Sequence, residues 1–218
     1  IRRQRQMCIR DSLYTAKKLL QLGAVPVSMS DSDGSIYIPD GMTQEQFDQI
    51  FELKMAMRGR ISEFAAENPG VQYFPGERPW KHVKCDIAMP SATQNELDGD
   101  DARALLAQGV IAVSEGANMP STREAVHEFI KARILYAPGK AANAGGVSVS
   151  GLEMAQNAQM LPWSAEEVDL KLQDIMKKIH EQCVAFGRED DNYTNYVNGA
   201  NIAGFMKVAR AMTAEGIS

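Results

Sequence analysis

Three short stretches carry the side chains best suited to holding a flat, polar ligand. They are residues 90–96 (Pro-Ser-Ala-Thr-Gln-Asn-Glu), 115–120 (Glu-Gly-Ala-Asn-Met-Pro) and 138–146 (Pro-Gly-Lys-Ala-Ala-Asn-Ala-Gly-Gly). Small residues let a backbone approach a ligand closely, and side-chain amides both donate to and accept from a carboxamide or a ribose hydroxyl. One such stretch is most simply a turn or a cap. Three of them, each following a short apolar run, point instead to one binding edge.

Other reactive side chains carry less. Lys140 lies in a Gly-rich loop, but the surrounding sequence lacks the Gly-x4-Gly-Lys-Ser/Thr spacing of a phosphate loop. His82, His127 and His180 are scattered, with no Cys or acid partner at ligand spacing, so no metal is expected. Cys8, Cys85 and Cys183 are odd in number and far apart, which suits free thiols in a reducing cytoplasm. Cys85 reads as a strand thiol without a base to activate it.

The elements that must position the three loops alternate between helix and strand. Residues 13–22 read as the tail of a helix closed by Gly23 in the left-handed conformation. A short apolar run ends at Asp31 and is followed by the turn residues 32–34. Thr43 and Gln46 have capping-box spacing and open a helix with Phe47, Ile50, Met57, Ile61 and Phe64 on one stripe. Strands are expected at 71–74, 85–90, 110–114 and 134–138, with helices from Asp98 to Gly109 and from the Ser121–Glu124 capping box to about Arg133. The region after Gly146 is all-helical. Val168, Leu172, Ile175, Ile179, Cys183 and Phe186 form an amphipathic stripe over 164–187, and a terminal helix runs from about Asn201 to Gly216. Short strands separated by helices make an α/β protein with a doubly wound, Rossmann-type parallel sheet, whose ligands bind along the carboxyl edge of the strands.

A dinucleotide-binding unit begins strand, Gly-rich turn, helix. This chain enters part-way through that first helix, so the first strand and Gly-rich turn are expected to be missing, leaving unpaired sheet edges and marginal stability. The expected organisation is a truncated dinucleotide-binding domain over 13–146 and a C-terminal helical segment over 147–218 that packs on it and toward a missing domain. Residues 1–12 carry Arg2, Arg3, Arg5 and Arg10 against the single acid Asp11. They read as a foreign or disordered tail rather than as a nucleic-acid-binding arm.

The loops, together with residues 137–157 (APGKAANAGGVSVSGLEMAQN) and 194–205 (TNYVNGANIAGF), resemble the coenzyme domain of hexameric glutamate dehydrogenases, nearest to the bacterial and fungal NADP-dependent class. The resemblance covers essentially everything from Leu13 onward. It implies that Thr93, Gln94, Asn118 and Asn143 hold the nicotinamide half of the coenzyme, and that Ser150 binds the side-chain carboxylate of glutamate from near a helix N-terminus. An acid such as Asp31 usually favours the free ribose hydroxyl of NAD. Similar NADP-dependent members nonetheless carry this Ser-Asp-Ser around Ser32 and hold the 2′-phosphate with basic residues matching Lys54 and Arg60. On an ideal helix those two lie about 120° apart, placed to bracket a phosphate if the helix ends or bends near Gly59. NADP is therefore expected over NAD.

The implied reaction is reversible oxidative deamination of L-glutamate to 2-oxoglutarate and ammonia. The family's acid–base lysine and aspartate belong to the upstream domain, so this chain is expected to supply the coenzyme-binding half of a homo-hexameric enzyme and to be inactive alone. Other readings are another amino-acid dehydrogenase of the same family, for which Ser150 has no use, or a non-catalytic nucleotide-binding module. The 218 residues carry a net charge of −5 with 44% hydrophobic and 23% charged residues. Nothing in that balance favours nucleic acid or an anionic membrane, and no apolar run reaches the length of a membrane helix.

Overall fold

A computed structural model describes residues 2–190 and 192–216, with side chains from Asp11 onward. The first helix, α1 (Arg2–Gln21), begins within residues 1–12, and the chain turns after it at Gly23 with φ 77°, as expected. Leu13 and Ala16 on α1 join a core with Ile36, Ile38, Met42, Phe47, Ile50, Ile61 and Phe64.

That core lies against an antiparallel sheet. β1 (Ser28–Asp31) pairs with β2 (Gly34–Tyr37), which pairs in turn with β3 (Gln72–Pro75). The turn expected at 32–34 links β1 to β2, a strand the sequence pattern does not announce. β2 is a short strand whose burial comes from its partners rather than from its own alternation. The helix opened by the Thr43–Gln46 capping box is also shorter than its apolar stripe suggested. It runs as α2 (Gln44–Glu52), loosens into a π turn (Leu53–Met57), breaks at the left-handed Arg58, and resumes as α3 (Ile61–Glu67). The break turns Met57 out to 68% exposure while Phe47, Ile50, Ile61 and Phe64 stay buried. A Cβ on Gly59 would meet Leu53 Cδ1 at 2.3 Å, so a larger residue there would have to displace the Leu53 side chain.

The second sheet is parallel and follows the expected βαβαβ order. It contains β4 (Ile87–Ala88), β5 (Ala112–Ser114) and β6 (Leu135–Ala137), linked by α4 (Gly99–Ala107) and α5 (Arg123–Lys131). The α4 cap is the expected Asp98, whereas α5 is capped one residue later than expected, by Thr122. Ala88, Leu97, Ala102, Leu105, Val110, Val113, Ala125, Phe129 and Tyr136 form its core, separate from the first. Among the described residues the two sheets share no ladder, and β1 and β4 are each an end strand.

Helices complete the chain: the single turn α6 (Gly139–Ala142), α7 (Ala144–Gln159), α8 (Ala165–Gly187) and α9 (Tyr196–Glu215), with the hairpin strands β7 (Arg188–Asp190) and β8 (Tyr193–Thr194) between the last two. Ser164 caps α8 in a capping box with Glu167. Of that stripe only Cys183 is fully buried, and Phe186 is 37% exposed. α8 and α9 meet backbone to backbone, since a Cβ on Gly199 would lie 2.0 Å from the Cys183 carbonyl oxygen. Among the described residues no helix is long and apolar enough to cross a membrane, and no three His, Cys, Asp or Glu residues cluster to hold a metal.

Candidate functional site

The three amide-bearing loops leave the carboxyl ends of β4, β5 and β6, and the structure stitches them together. Gly116 N donates to Pro90 O at 2.9 Å, Asn95 N to Met119 O at 3.0 Å, and Leu97 N to Pro120 O at 3.0 Å. Asn143 Nδ2 reaches across to Asn118 Oδ1 at 2.6 Å and to Ala117 O at 3.2 Å. Asn118 is exposed and Asn143 half-buried, so their amides form a pair at the surface. Thr93 and Gln94 are exposed on the first of the stitched loops. Asn95 and Met119 hold left-handed conformations, with φ 54° and 52°. Asparagine tolerates that region well, and methionine does not.

Two buried carboxylates that the sequence did not single out underlie these loops. Glu115 accepts hydrogen bonds from Tyr136 Oη at 2.6 Å, Gly139 N at 2.6 Å and Ser121 N at 3.2 Å. Burial, reinforced by the hydrogen bond and charge of Glu115, pushes the Tyr136 phenol pKa well up. Glu96 accepts from Ala92 N at 3.0 Å, and Arg78 donates to its carbonyl oxygen. Burial raises the Glu96 pKa, and the amides of Ala92 and Thr93 and the charge of Arg78 only partly oppose it. For Glu115 the one signal available in sequence was an acid closing an apolar run immediately before a glycine, whereas Glu96 follows the polar run 91–95 and carries no such signal.

A second polar cluster lies at the carboxyl end of β1. Asp31 takes Asp33 N at 2.8 Å and Ile61 N at 3.0 Å, and it is ion-paired with Lys54. The side chains of Lys54 and Asp31 are only 5% and 4% exposed. Lys54 also donates to Gly59 O at 3.0 Å. Burial works to raise the Asp31 pKa, but the hydrogen bonds from Lys54, Asp33 and Ile61 and the Lys54 charge outweigh it and hold the carboxyl below its ordinary range. Arg60 is exposed, and its Nη1 donates to Ser32 Oγ at 2.6 Å. Lys54 and Arg60 do not share an ideal helix, because the break at Arg58 and Gly59 separates them. Lys54 is turned inward onto Asp31, and Arg60 outward.

Ser150 departs from expectation. α7 starts at Ala144, so Ser150 falls in its second turn, exposed, with Oγ donating to Gly146 O at 3.3 Å. It is neither at the helix N-terminus nor a cap, and the end-of-helix field does not act on it. Cys85 and Cys183 are free thiols whose pKa values burial raises, in keeping with inert cysteines.

The stitched loops and the βαβαβ unit that carries them find a counterpart among known proteins. Residues 12–216 match the model of the Glutamate/Leucine/Phenylalanine/Valine dehydrogenase family. The chain belongs to this family. A glutamate dehydrogenase of Bacteroides thetaiotaomicron is 66% identical over 204 residues, covering 94% of this chain and 46% of its own length. An NAD(P)-specific glutamate dehydrogenase of Xylanibacter ruminicola is 58% identical over the same shares. The crystal structure of Plasmodium falciparum glutamate dehydrogenase superposes with a TM-score of 0.87 at 45% identity, covering 94% of this chain and 44% of that one. The chain thus spans about half the length of the dehydrogenases it matches, and the α/β fold with its parallel sheet is that of the family.

Proposed function

We propose that this chain is the coenzyme-binding half of a glutamate dehydrogenase, an oxidoreductase that interconverts L-glutamate with 2-oxoglutarate and ammonia using NADP(H). The observation that carries this reading is the Asn118–Asn143 amide pair, presented where three strand-end loops meet. The pair uses Asn143 Nδ2 and Asn118 Oδ1 on each other, which leaves the Nδ2 donors of Asn118 and the Oδ1 acceptor of Asn143 to complement a carboxamide. Gly116 and Gly139 keep the loops close, since Cβ atoms there would lie 2.3 Å from Ser91 Oγ and 2.6 Å from Ala117 O. The coenzyme, when bound, supplies hydride transfer; these residues bind it, orient it and exclude water. Thr93 and Gln94 extend the same edge.

The preference for NADP rests on the cluster at β1. An unpaired Asp31 would repel a 2′-phosphate, but Lys54 and the first N–H of α3 already neutralise it. Arg60 and Ser32 remain at the surface as donors for that phosphate. The relative from Xylanibacter ruminicola is named for both coenzymes. Ser150 is assigned to the glutamate side-chain carboxylate, through its hydroxyl alone. The exposed apolar residues of α7 and α9, among them Val147, Met154, Phe205 and Val208, are assigned to contact with the upstream half of the enzyme, which assembles as a homo-hexamer in the cytoplasm.

Calorimetry on the chain joined to the upstream half of the Bacteroides thetaiotaomicron relative tests the coenzyme reading: NADP binds more tightly than NAD, and Arg60→Ala removes most of the difference. The same joined protein tests the reaction. The expected result is glutamate-dependent NADPH formation with no turnover of leucine. Turnover of leucine but not glutamate reassigns the substrate within the family, and no binding of either nucleotide removes the dehydrogenase reading.

A further inference from the structure

We propose that Glu115 is the positioning residue for the coenzyme's carboxamide, the group that sets the separation and angle of the Asn118–Asn143 pair. This rests on the coenzyme-binding reading above and extends it to a residue that does not itself face the ligand.

Glu115 is 3% exposed, and its three partners are neutral donors from three places. Ser121 N follows its own loop, Tyr136 Oη comes from β6, and Gly139 N opens the loop that carries Asn143. Its backbone N–H donates to Ala137 O at 3.1 Å, which fixes the carboxylate relative to β6. Tyr136 is held by stacking on Phe129, with ring centroids 5.5 Å apart. The hold is therefore stiff at both ends.

The geometry beyond Glu115 depends on this hold. Gly139 is drawn so close that an added Cβ would sit 2.6 Å from Ala117 O and 3.2 Å from Glu115 Oε2. Asn143 lies one helical turn further on and lands on the Ala117–Asn118 peptide. Asn143 heads α7 without capping it, so its amide is committed to Asn118 instead of to the helix. A carboxylate is the only side chain that accepts at every position here. A glutamine would turn an NH2 toward at least one of the three donors and push one loop away.

The test compares ligands that differ only at the ring. Three ligands are titrated into the chain joined to the upstream half of the Bacteroides thetaiotaomicron relative: NADP, its 3-acetylpyridine analogue (a methyl ketone in place of the carboxamide), and 2′-phospho-ADP-ribose, which has no ring at all. In the unmodified chain NADP binds more tightly than the analogue. Glu115→Gln is expected to cut that preference about tenfold, one hydrogen bond's worth of discrimination. Asn118→Ala is expected to cut it by a similar factor, with the double variant no worse than either single one and 2′-phospho-ADP-ribose binding unchanged throughout. Tyr136→Phe removes one of the three donors and is expected to give a smaller loss of the same kind; it decides the matter if Glu115→Gln does not fold. Equal weakening of all three ligands, or of none, by the Glu115 and Tyr136 variants while Asn118→Ala stays selective overturns the positioning role and leaves the coenzyme reading standing. Failure of the unmodified chain to bind any of the three overturns both.

Discussion

Asp31 and Glu115 are both buried acids at the carboxyl ends of strands, and the protein satisfies them in opposite ways. Asp31 faces a full cation, Lys54, with two backbone N–H groups completing its shell. Glu115 faces only neutral donors, two backbone N–H groups and a phenol. A buried ion pair contributes little net stability but leaves a costly orphan when one partner is removed. A carboxylate held by neutral donors acts instead through direction and distance. The ribose-side end is thus a balance of charge, and the amide end is a matter of shape.

The largest expected effect breaks the charge balance. Lys54→Met leaves Asp31 buried without its cation and is expected to lower unfolding free energy by about 3 kcal/mol in urea titrations. Adding Asp31→Asn to that variant restores most of the loss. If Lys54→Met alone is harmless, the two ends do not differ as described.

Gly139→Ala tests the end governed by shape. The new Cβ cannot coexist with Ala117 O at 2.6 Å, so the loops must part at a cost of about 2 kcal/mol. Two-dimensional NMR on the Asn side-chain amides should show the Asn118 and Asn143 signals shifting while those near Asp31 stay in place.

Acid separates the ends further. Asp31 has a folded pKa below its ordinary 3.8, so its contribution is present above that value and lost as pH falls through the folded one. Glu96, with a folded pKa above 4.5, has the reverse sign: its contribution is present below 4.5 and lost as pH rises through the folded value. Urea midpoints measured across this range should show a shallower acid limb in Asp31→Asn and a shallower decline toward neutral pH in Glu96→Gln. A variant that leaves its own limb unchanged refutes the assignment for that residue.

The smallest expected effect concerns the backbone. Met119 holds φ 52° without glycine's freedom, and Met119→Gly is expected to stabilise by about 0.5 kcal/mol. A thermal unfolding scan detects this, and a loss of stability would show that the exposed Met119 side chain contributes more than the strain.

Local chemistry made much of this readable before any coordinates. The Thr43–Gln46 and Asp98 caps, the Gly23 stop, the strand–helix alternation and the three amide loops depend on neighbours a few residues away. What was not readable depends on tertiary partners. The Lys54–Asp31 pair spans 23 residues, and the sequence places Lys54 with Arg60 as a 2′-phosphate ligand because nothing nearby announces its buried partner. The apolar stripe from Phe47 to Phe64 keeps helical spacing straight through a π turn and a left-handed residue, so the break at Arg58 was visible only as a glycine next to it. α7 begins earlier than expected because Asn143, its first flanking residue, spends its amide across the cleft and gives no capping signature, while two glycines follow in the first turn. That early start moved Ser150 from the mouth of the helix into its body.

The two hydrophobic cores, each with its own three-stranded sheet and its own acid, have a consequence for adaptation. Substitutions around Asp31 and around Glu115 share no partners, so their effects should sum. Charge at the first sheet can then be exchanged to suit a phosphorylated or plain ribose without retuning the loops of the second, making coenzyme preference a trait that changes on its own.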